Sequence, residues 1–202
     1  KPPGIAWVIW AAVRIGAMLG INGDGSGAAL MPVVRMPAVL FGFLSGLISL
    51  FLARRIFRDD RAALAVIVLS AAVPMFAVGS LLITIDSPMY LCWGASVFCL
   101  WKAVEARKSA VAHDPTSSRS TFWIYLAGVA CACGMLFKPV LIALPLCAWV
   151  AAIADPEIRR AFKTWHSLGA VLIVSLSQVP TVIWNSQHGW VTFRHIATQG
   201  GL

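Results

Sequence analysis

Two ionisable side chains, Lys138 and Asp86, lie where the sequence is otherwise apolar, and they are the first candidates for chemistry. Lys138 stands between AGVACACGMLF and PVLIALPLCAWVAAIA, and Asp86, in ITIDSPMY, is the one acid inside the apolar part of the sequence. Ionisable groups at membrane depth are rare, because an unpaired charge in lipid costs several kcal/mol, and they commonly mark functional sites. A lysine in such a place could bind a phosphate as a point charge.

Each of these residues also has a plain structural interpretation. Asp86 precedes Ser-Pro at the start of an apolar segment, which is typical of a helix N-cap. Lys138 precedes Pro139, and its long side chain could extend from a helix end to the membrane interface. The sequence leaves both alternatives open for each residue.

Five basic residues lie outside three short basic clusters, namely Lys1, Arg14, Arg35, Lys138 and Arg194. Arg35 comes just before a predicted helix start, where a cation opposes the helix dipole, so a partner is a better explanation than capping. Arg14 is interpreted as an interface anchor. His188 and Arg194 lie in a polar, aromatic tail, either as structural hydrogen-bonding groups or as substrate contacts.

Several classes of site are disfavoured by the motifs that the sequence lacks. It contains no GxSxG, no Walker and no Rossmann glycine pattern. A serine triad and a cytoplasmic nucleotide-dependent mechanism are therefore disfavoured, and an activated donor would come from the membrane or its outer face. The five cysteines all fall in apolar segments, which favours buried thiols over a disulfide framework.

The composition indicates an integral membrane protein. The chain is 59% hydrophobic and 12% charged, whereas a soluble domain is about a quarter charged. The formal net charge of +8 could suggest a nucleic-acid partner. However, the basic residues flank apolar segments and form no continuous patch, so we expect no nucleic-acid binding.

The apolar segments predict an all-α, polytopic transmembrane helix bundle with about six spans. Residues 5–19 are too short for a comfortable span and carry tryptophans and an arginine, which favours an N-terminal interfacial helix over a tilted span. Pro74 predicts a kink in the second span, and Lys138-Pro139 predicts a hinge between the fourth and fifth spans. The predicted spans are residues 37–57, 62–78, 88–103, 122–137, 140–154 and 165–184.

The basic residues predict the orientation in the membrane. Eleven of the sixteen lysines and arginines fall in residues 54–61, 102–119 and 155–163. The predicted spans place these three segments on one side, which the positive-inside rule makes cytoplasmic. The remaining five cations, with Asp24 and Asp86, then lie at or near the other face, where each needs a separate explanation.

We expect a single transmembrane domain without internal repeats over residues 1–202. Residues 1–35 form an extracytoplasmic or interfacial segment, residues 36–184 hold the transmembrane spans, and residues 185–202 form an extracytoplasmic loop. Because the sequence starts at Lys1 without a methionine, we interpret it as a piece of a longer protein.

Six segments, in order, resemble motifs of the bacterial polyprenyl-phosphate-sugar glycosyltransferases. This group, glycosyltransferase family 39 and its relatives with the GT-C fold, includes protein O-mannosyltransferases and lipid A aminoarabinose transferases. The similar segments are KPPGIAW, VRMPAVLFG, LARRIFRDDRAALAV, ITIDSPMYLCW, GMLFKPVLIALP and VIWNSQHGWVTFRH.

The resemblance implies inverting transfer of a sugar from a polyprenyl phosphate to an acceptor hydroxyl on a lipid or protein. The reaction would take place at the extracytoplasmic face of the bacterial inner membrane. Its catalytic base would lie in an Asp-Glu motif upstream of this sequence, so this fragment alone is expected to be inactive. By position, phosphate contacts are expected from Lys1, Lys138 and Arg35, substrate-loop contacts from His188 and Arg194, and acceptor support or a divalent metal ligand from Asp86.

Two other classes of function compete with this interpretation. A secondary transporter or lipid-linked-sugar flippase would use a buried ion pair near the membrane midplane and broken helices. Against it, the unusual charges lie at the outer ends of predicted helices, and no inverted repeat is visible. A membrane scaffold without chemistry would leave the five isolated cations and Asp86 unexplained.

Overall fold

The computed structural model describes residues 3–21, 30–113 and 118–191, together with Arg194, Ala197 and Thr198. Regular secondary structure in these residues is entirely helical, which confirms the all-α class. The elements are α1 (Gly4–Met18), α2 (Leu30–Phe57), α3 (Asp60–Ala72), α4 (Pro74–Gly79), α5 (Asp86–His113), α6 (Ser118–Met135), a 3-10 helix (Pro139–Ile142), α7 (Ala143–Ala154), α8 (Pro156–Phe162), α9 (Trp165–Leu176) and α10 (Val179–Gln187).

Prolines mark the predicted breaks between helices. The chain leaves α3 at Ala72 and starts α4 at Pro74, so the predicted kink is a complete break. The hinge at Lys138 is confirmed, because α6 ends at Met135 and the 3-10 helix starts at Pro139. Proline suits the first position of a helix, where its missing N–H would have no helical partner.

Two predicted boundaries are wrong. α2 begins at Leu30, so Pro37 lies inside the helix and does not start it. α5 continues to His113 through a predicted polar stretch, because its Glu, Arg, Lys and Ala residues are good helix formers despite their polarity. The last predicted span, residues 165–184, contains a short turn at residues 177–178 between α9 and α10, and the stretch Trp165–Gln187 is long and apolar enough to cross a membrane.

α5 and α6 form an antiparallel hairpin at the centre of the bundle, with α2 packed against α5 and α9 against α6. Small residues allow the close approach. A Cβ on Gly128 would come within 2.9 Å of Ala170 on α9, and one on Gly134 within 2.7 Å of Cys92 on α5. The apolar core fills the end of the hairpin where α5 begins and α6 ends, with Met89, Cys131, Ala132, Met135, Leu141, Leu144 and Val174.

The other end of the hairpin, here called the basic end, gathers the described parts of the three basic clusters, namely residues 54–61, 102–113 with 118–119, and 155–163. Arg55 of the first segment lies 2.7 Å from Glu105 of the second, and Lys108 of the second pairs with Glu157 of the third. Ion pairs require the three segments to lie together. This confirms that the three basic clusters share one side, as the predicted orientation requires.

The helices differ in how well they suit a membrane. Two stretches, Leu30–Phe57 and Trp165–Gln187, are long and apolar enough to cross one by length and composition, and Gly4–Met18 and Pro139–Ala154 are apolar but shorter. The total of six spans stays a prediction. Large apolar side chains are exposed on many helices, a surface that water disfavours, among them Phe43, Val68, Leu69, Trp149, Leu168 and Leu172.

Candidate functional site

Asp86 and Lys138 meet at the end of the hairpin opposite the basic end, which we call the pair end. The Lys138 Nζ lies 2.7 Å from the Asp86 Oδ1, and the two side chains are 37% and 26% exposed. The residues are separated by 52 positions in the chain, so their contact depends on the folded hairpin. A partly exposed ion pair contributes only about 0–1 kcal/mol to stability, and the lysine remains within reach of a ligand.

The turn before α5 fixes the position of Asp86, the first residue of that helix. The Asp86 N–H donates to the Thr84 hydroxyl at 3.3 Å, and the Ser87 hydroxyl donates to the Thr84 carbonyl at 3.3 Å. Within the described residues, the Asp86 carboxylate accepts from Lys138 and from no backbone N–H. The structure thus favours an ion partner over the N-cap alternative.

Lys138 is held by the chain reversal that ends α6. Its N–H donates to the Gly134 carbonyl at 3.0 Å, and its backbone is extended (φ −149°, ψ 118°), as expected for a residue before proline. Three residues after Lys138, Leu141 of the 3-10 helix is fully buried. The extended residue directs its side chain across to the start of α5, and the packed core limits how far the turn can shift.

α1 is attached to the same turn. The Gly4 N–H donates to the Leu136 carbonyl at 2.9 Å, and a Cβ on Gly4 would come within 2.8 Å of the Phe137 ring. Farther along α1, Gly16 packs against Val33 near the start of α2. These contacts join α1 to the turn that carries Lys138 and to the start of α2, both at the pair end.

The other predicted phosphate contacts are only partly described. Arg35 lies in the second turn of α2 at the pair end, with an exposed side chain. Within the described residues it forms no ion pair, and the structure does not bring it to Asp86. Lys1 lies outside the described residues, so its predicted role stays a prediction. Arg14 packs over the Trp10 ring, with its guanidinium carbon 5.5 Å from the ring centroid.

The predicted substrate-loop residues follow α10. The His188 ring stacks on Trp184 with centroids 4.3 Å apart, and its Nδ1 lies 2.8 Å from the Trp184 carbonyl oxygen. The exposed Arg194 donates its backbone N–H to the Trp190 carbonyl. In the part of the chain that the structure describes, neither His188 nor Arg194 contacts the ion pair.

Comparison with known proteins identifies the family. Residues 1–184 match the family described as Dolichyl-phosphate-mannose-protein mannosyltransferase. The chain belongs to this family. Its members are membrane glycosyltransferases that use polyprenyl-phosphate-linked sugars, in agreement with the resemblance carried by the six sequence motifs.

Curated relatives of this mannosyltransferase family member include two bacterial enzymes, each named undecaprenyl phosphate-alpha-4-amino-4-deoxy-L-arabinose arabinosyl transferase. The enzyme of Pseudomonas aeruginosa (strain LESB58) is 36% identical over 124 residues, which cover 57% of this chain and 21% of the relative. The enzyme of Edwardsiella ictaluri (strain 93-146) is 31% identical over 175 residues, which cover 82% of this chain and 28% of the relative. The chain thus spans less than a third of the length of these relatives. No solved structure matches it.

A divalent metal would need more ligands than Asp86 supplies. Among the described residues, no three His, Cys, Asp or Glu side chains lie together. The Asp86 carboxylate already accepts from the Lys138 ammonium, which a metal cation would have to displace. These residues do not fit a metal ion by themselves, and a metal-binding role for Asp86 stays a prediction.

Two residues that support the site were not identified from the sequence. Thr84 accepts hydrogen bonds from Asp86 and Ser87, the first two residues of α5. The sequence pattern that could have predicted this is a hydroxyl residue two positions before an aspartate, since such residues commonly form local side-chain to backbone hydrogen bonds. Gly4 joins α1 to the Leu136 carbonyl. A glycine after Pro-Pro is typical of a helix start. However, its partner Leu136 is far away in the sequence, so no local pattern predicts the contact.

Proposed function

We propose that this chain forms the phosphate-binding side of a membrane glycosyltransferase that transfers a sugar, with inversion, from a polyprenyl phosphate to an acceptor hydroxyl. The observation that carries the proposal is the Asp86–Lys138 ion pair, because it lies at the end of the bundle opposite the three basic clusters. Family membership supports the reaction class, and the names of the relatives support a polyprenyl phosphate donor.

Lys138 is the proposed phosphate contact. In the transfer, the bond between the anomeric carbon and the phosphate oxygen breaks, and negative charge grows on the departing lipid phosphate. The acceptor oxygen forms the new bond, and its proton passes to a base for which we assign no residue here. A fixed ammonium next to the departing oxygen stabilises that charge without reorganising during the reaction.

Asp86 is the proposed positioning partner of Lys138. Before the donor binds, its carboxylate holds the Nζ at 2.7 Å and keeps the long lysine side chain in one orientation. An arriving phosphate then shares the ammonium with Asp86, since an ammonium has three donors. Support of the acceptor by the same carboxylate is a further part of the proposal.

Four other residues are proposed as further substrate contacts. Lys1 precedes Gly4 by three positions, and Gly4 is bonded to the turn that carries Lys138. Arg35 lies at the pair end on α2, and His188 and Arg194 follow α10. In this proposal, the pair end faces the extracytoplasmic side of a bacterial inner membrane, α1 lies at that interface, and the acceptor is a lipid or a protein.

The proposal is tested by Lys138→Ala and Asp86→Asn in the full-length protein. We expect both variants to reach the membrane at normal levels and to lose sugar transfer, because each removes a charge that organises the phosphate site. Transfer from an undecaprenyl-phosphate-linked sugar to an acceptor lipid measures the activity, and immunoblotting of membranes measures insertion.

Lys102→Ala is the matched control, because Lys102 also pairs with a carboxylate, Glu105, at 2.8 Å, but at the basic end. It should transfer sugar at nearly the normal rate. Normal turnover in the Lys138 and Asp86 variants would reduce these residues to an interface anchor and a helix-start residue.

A further inference from the structure

A second feature, distinct from the ion pair, is an apolar cleft of about 420 Å³ between α6, α7 and α9. Leu168, Val171 and Trp149 line its walls and are more than half exposed. Side chains this apolar and this open suit contact with lipid and not with water. Small residues also line the cleft and leave space between the helices, among them Ala127, Gly128, Ala148, Ala152 and Ala170.

Two cations, Arg159 and Lys163, line the same cleft where it reaches the basic end. Both are exposed, and neither forms an ion pair within the described ranges. No acidic residue is among those lining the cleft. Four other cations of the basic end do have carboxylate partners, namely Arg54, Arg55, Lys102 and Lys108. Arg159 and Lys163 are therefore among the cations of the basic end that form no ion pair with the described residues.

We propose that the cleft binds an anionic phospholipid of the surrounding membrane. Its phosphate would lie between Arg159 and Lys163, within reach of the Ser167 hydroxyl, and its acyl chains would follow the apolar walls towards Leu144. Basic pockets between helices on the cytoplasmic side are suited to acidic headgroups. One amphipathic molecule matches both the cations and the apolar surface, whereas an apolar helix would leave the cations unmatched.

The occupant differs from the sugar donor because of where the charges lie. The cleft cations belong to the basic end, and Lys138 lies at the pair end, on the opposite end of the hairpin. A donor phosphate at Lys138 would leave Arg159 and Lys163 unoccupied. The lipid site is therefore independent of the proposed sugar transfer, and either one can fail without the other.

Native mass spectrometry of the delipidated full chain tests the headgroup, with equal amounts of phosphatidylglycerol and phosphatidylcholine added back. We expect phosphatidylglycerol to be retained over phosphatidylcholine. In the double variant Arg159→Gln, Lys163→Gln its affinity should fall about thirty-fold, as expected for two basic residues near an anionic headgroup. Arg160→Gln is the matched control, since Arg160 is exposed but does not line the cleft, and it should bind almost normally.

A cleft-filling variant tests the acyl chains. Ala148→Phe places a ring in the cleft and should displace phosphatidylglycerol, whereas Cys147→Phe, at a neighbouring exposed position outside the lining, should not. The proposal is overturned if phosphatidylcholine binds equally well or if the double variant keeps its phosphatidylglycerol. It is also overturned if a photo-crosslinker at Leu168 captures another segment of the protein and no lipid.

Discussion

The two ends of the α5–α6 hairpin carry charge in different ways. At the basic end, Glu105 accepts hydrogen bonds from both Arg55 and Lys102, and all three side chains are partly exposed. At the pair end, Asp86 and Lys138 form the one ion pair found among the described residues there, above a packed apolar core. The basic end therefore holds several ion pairs among many cations, whereas the described residues of the pair end hold a single ion pair.

This difference distinguishes two roles of charged residues in a membrane protein, namely setting the orientation and binding a ligand. Many cations on one side set the orientation of the chain, and removing one leaves enough of the others. Lys138, on the other side, adds little to orientation and little to stability. Its placement therefore has to be explained by what it binds, which is why the proposed function rests on Lys138 and not on the more numerous cations.

The largest expected effect comes from exchanging the charges of the pair. In the double variant Asp86→Lys, Lys138→Asp, an ion pair can form again, but the cation then lies at the start of α5 and not in the turn after α6. We expect sugar transfer to fall at least about 100-fold, the scale of losing one fixed electrostatic contact to a transition state. Transfer assays and thermal unfolding of the same samples make the measurement. Restored transfer would show that only the pairing matters.

A smaller effect is expected from crowding the junction between α1 and the Lys138 turn. In Gly4→Ala, the new methyl would lie 2.7 Å from the Leu136 carbonyl oxygen, so the two segments must separate. We expect a loss of about 1–3 kcal/mol of stability and slower sugar transfer. Gly46→Ala is the control, because nothing lies within 4 Å of its new methyl. Equal behaviour of the two variants would show that α1 is not held at the pair end.

The smallest effect is expected at the basic end. The hydrogen bond from Lys102 lowers the pKa of Glu105 most, and the charges of Lys102 and Arg55 lower it further against the opposing effect of burial. Because the pKa is lowered in the folded protein, the ionised carboxylate stabilises the fold at pH values above the ordinary carboxyl pKa. This contribution is lost as the pH falls through the lowered pKa.

Glu105→Gln should therefore cost less than about 1 kcal/mol at pH 7, because the pair is exposed and screened. The difference from the wild type should shrink as the pH falls below about 4. Thermal unfolding at a series of pH values makes the comparison. A difference that grows on acidification would have the wrong sign for a lowered pKa.

Much of the fold could be predicted from local signals, and the contacts of the site could not. Pro74 and Pro139 predicted the helix breaks. The isolation of Asp86 and Lys138 in apolar sequence marked both as candidate site residues. Their pairing depends on the register of α5 against α6, which no local pattern encodes. The extension of α5 to His113 was missed because polar helix formers resemble a loop in composition, although they are favourable in a helix.

The most direct test of the phosphate role of Lys138 is equilibrium binding of undecaprenyl phosphate, without a sugar, to the full chain in nanodiscs. Wild type, Lys138→Ala and Lys102→Ala would be compared. Our proposal predicts that Lys138→Ala weakens binding about 10- to 100-fold, as for the loss of a hydrogen bond to a charged group, while Lys102→Ala binds like the wild type. Equal affinity of Lys138→Ala and the wild type would contradict the proposal.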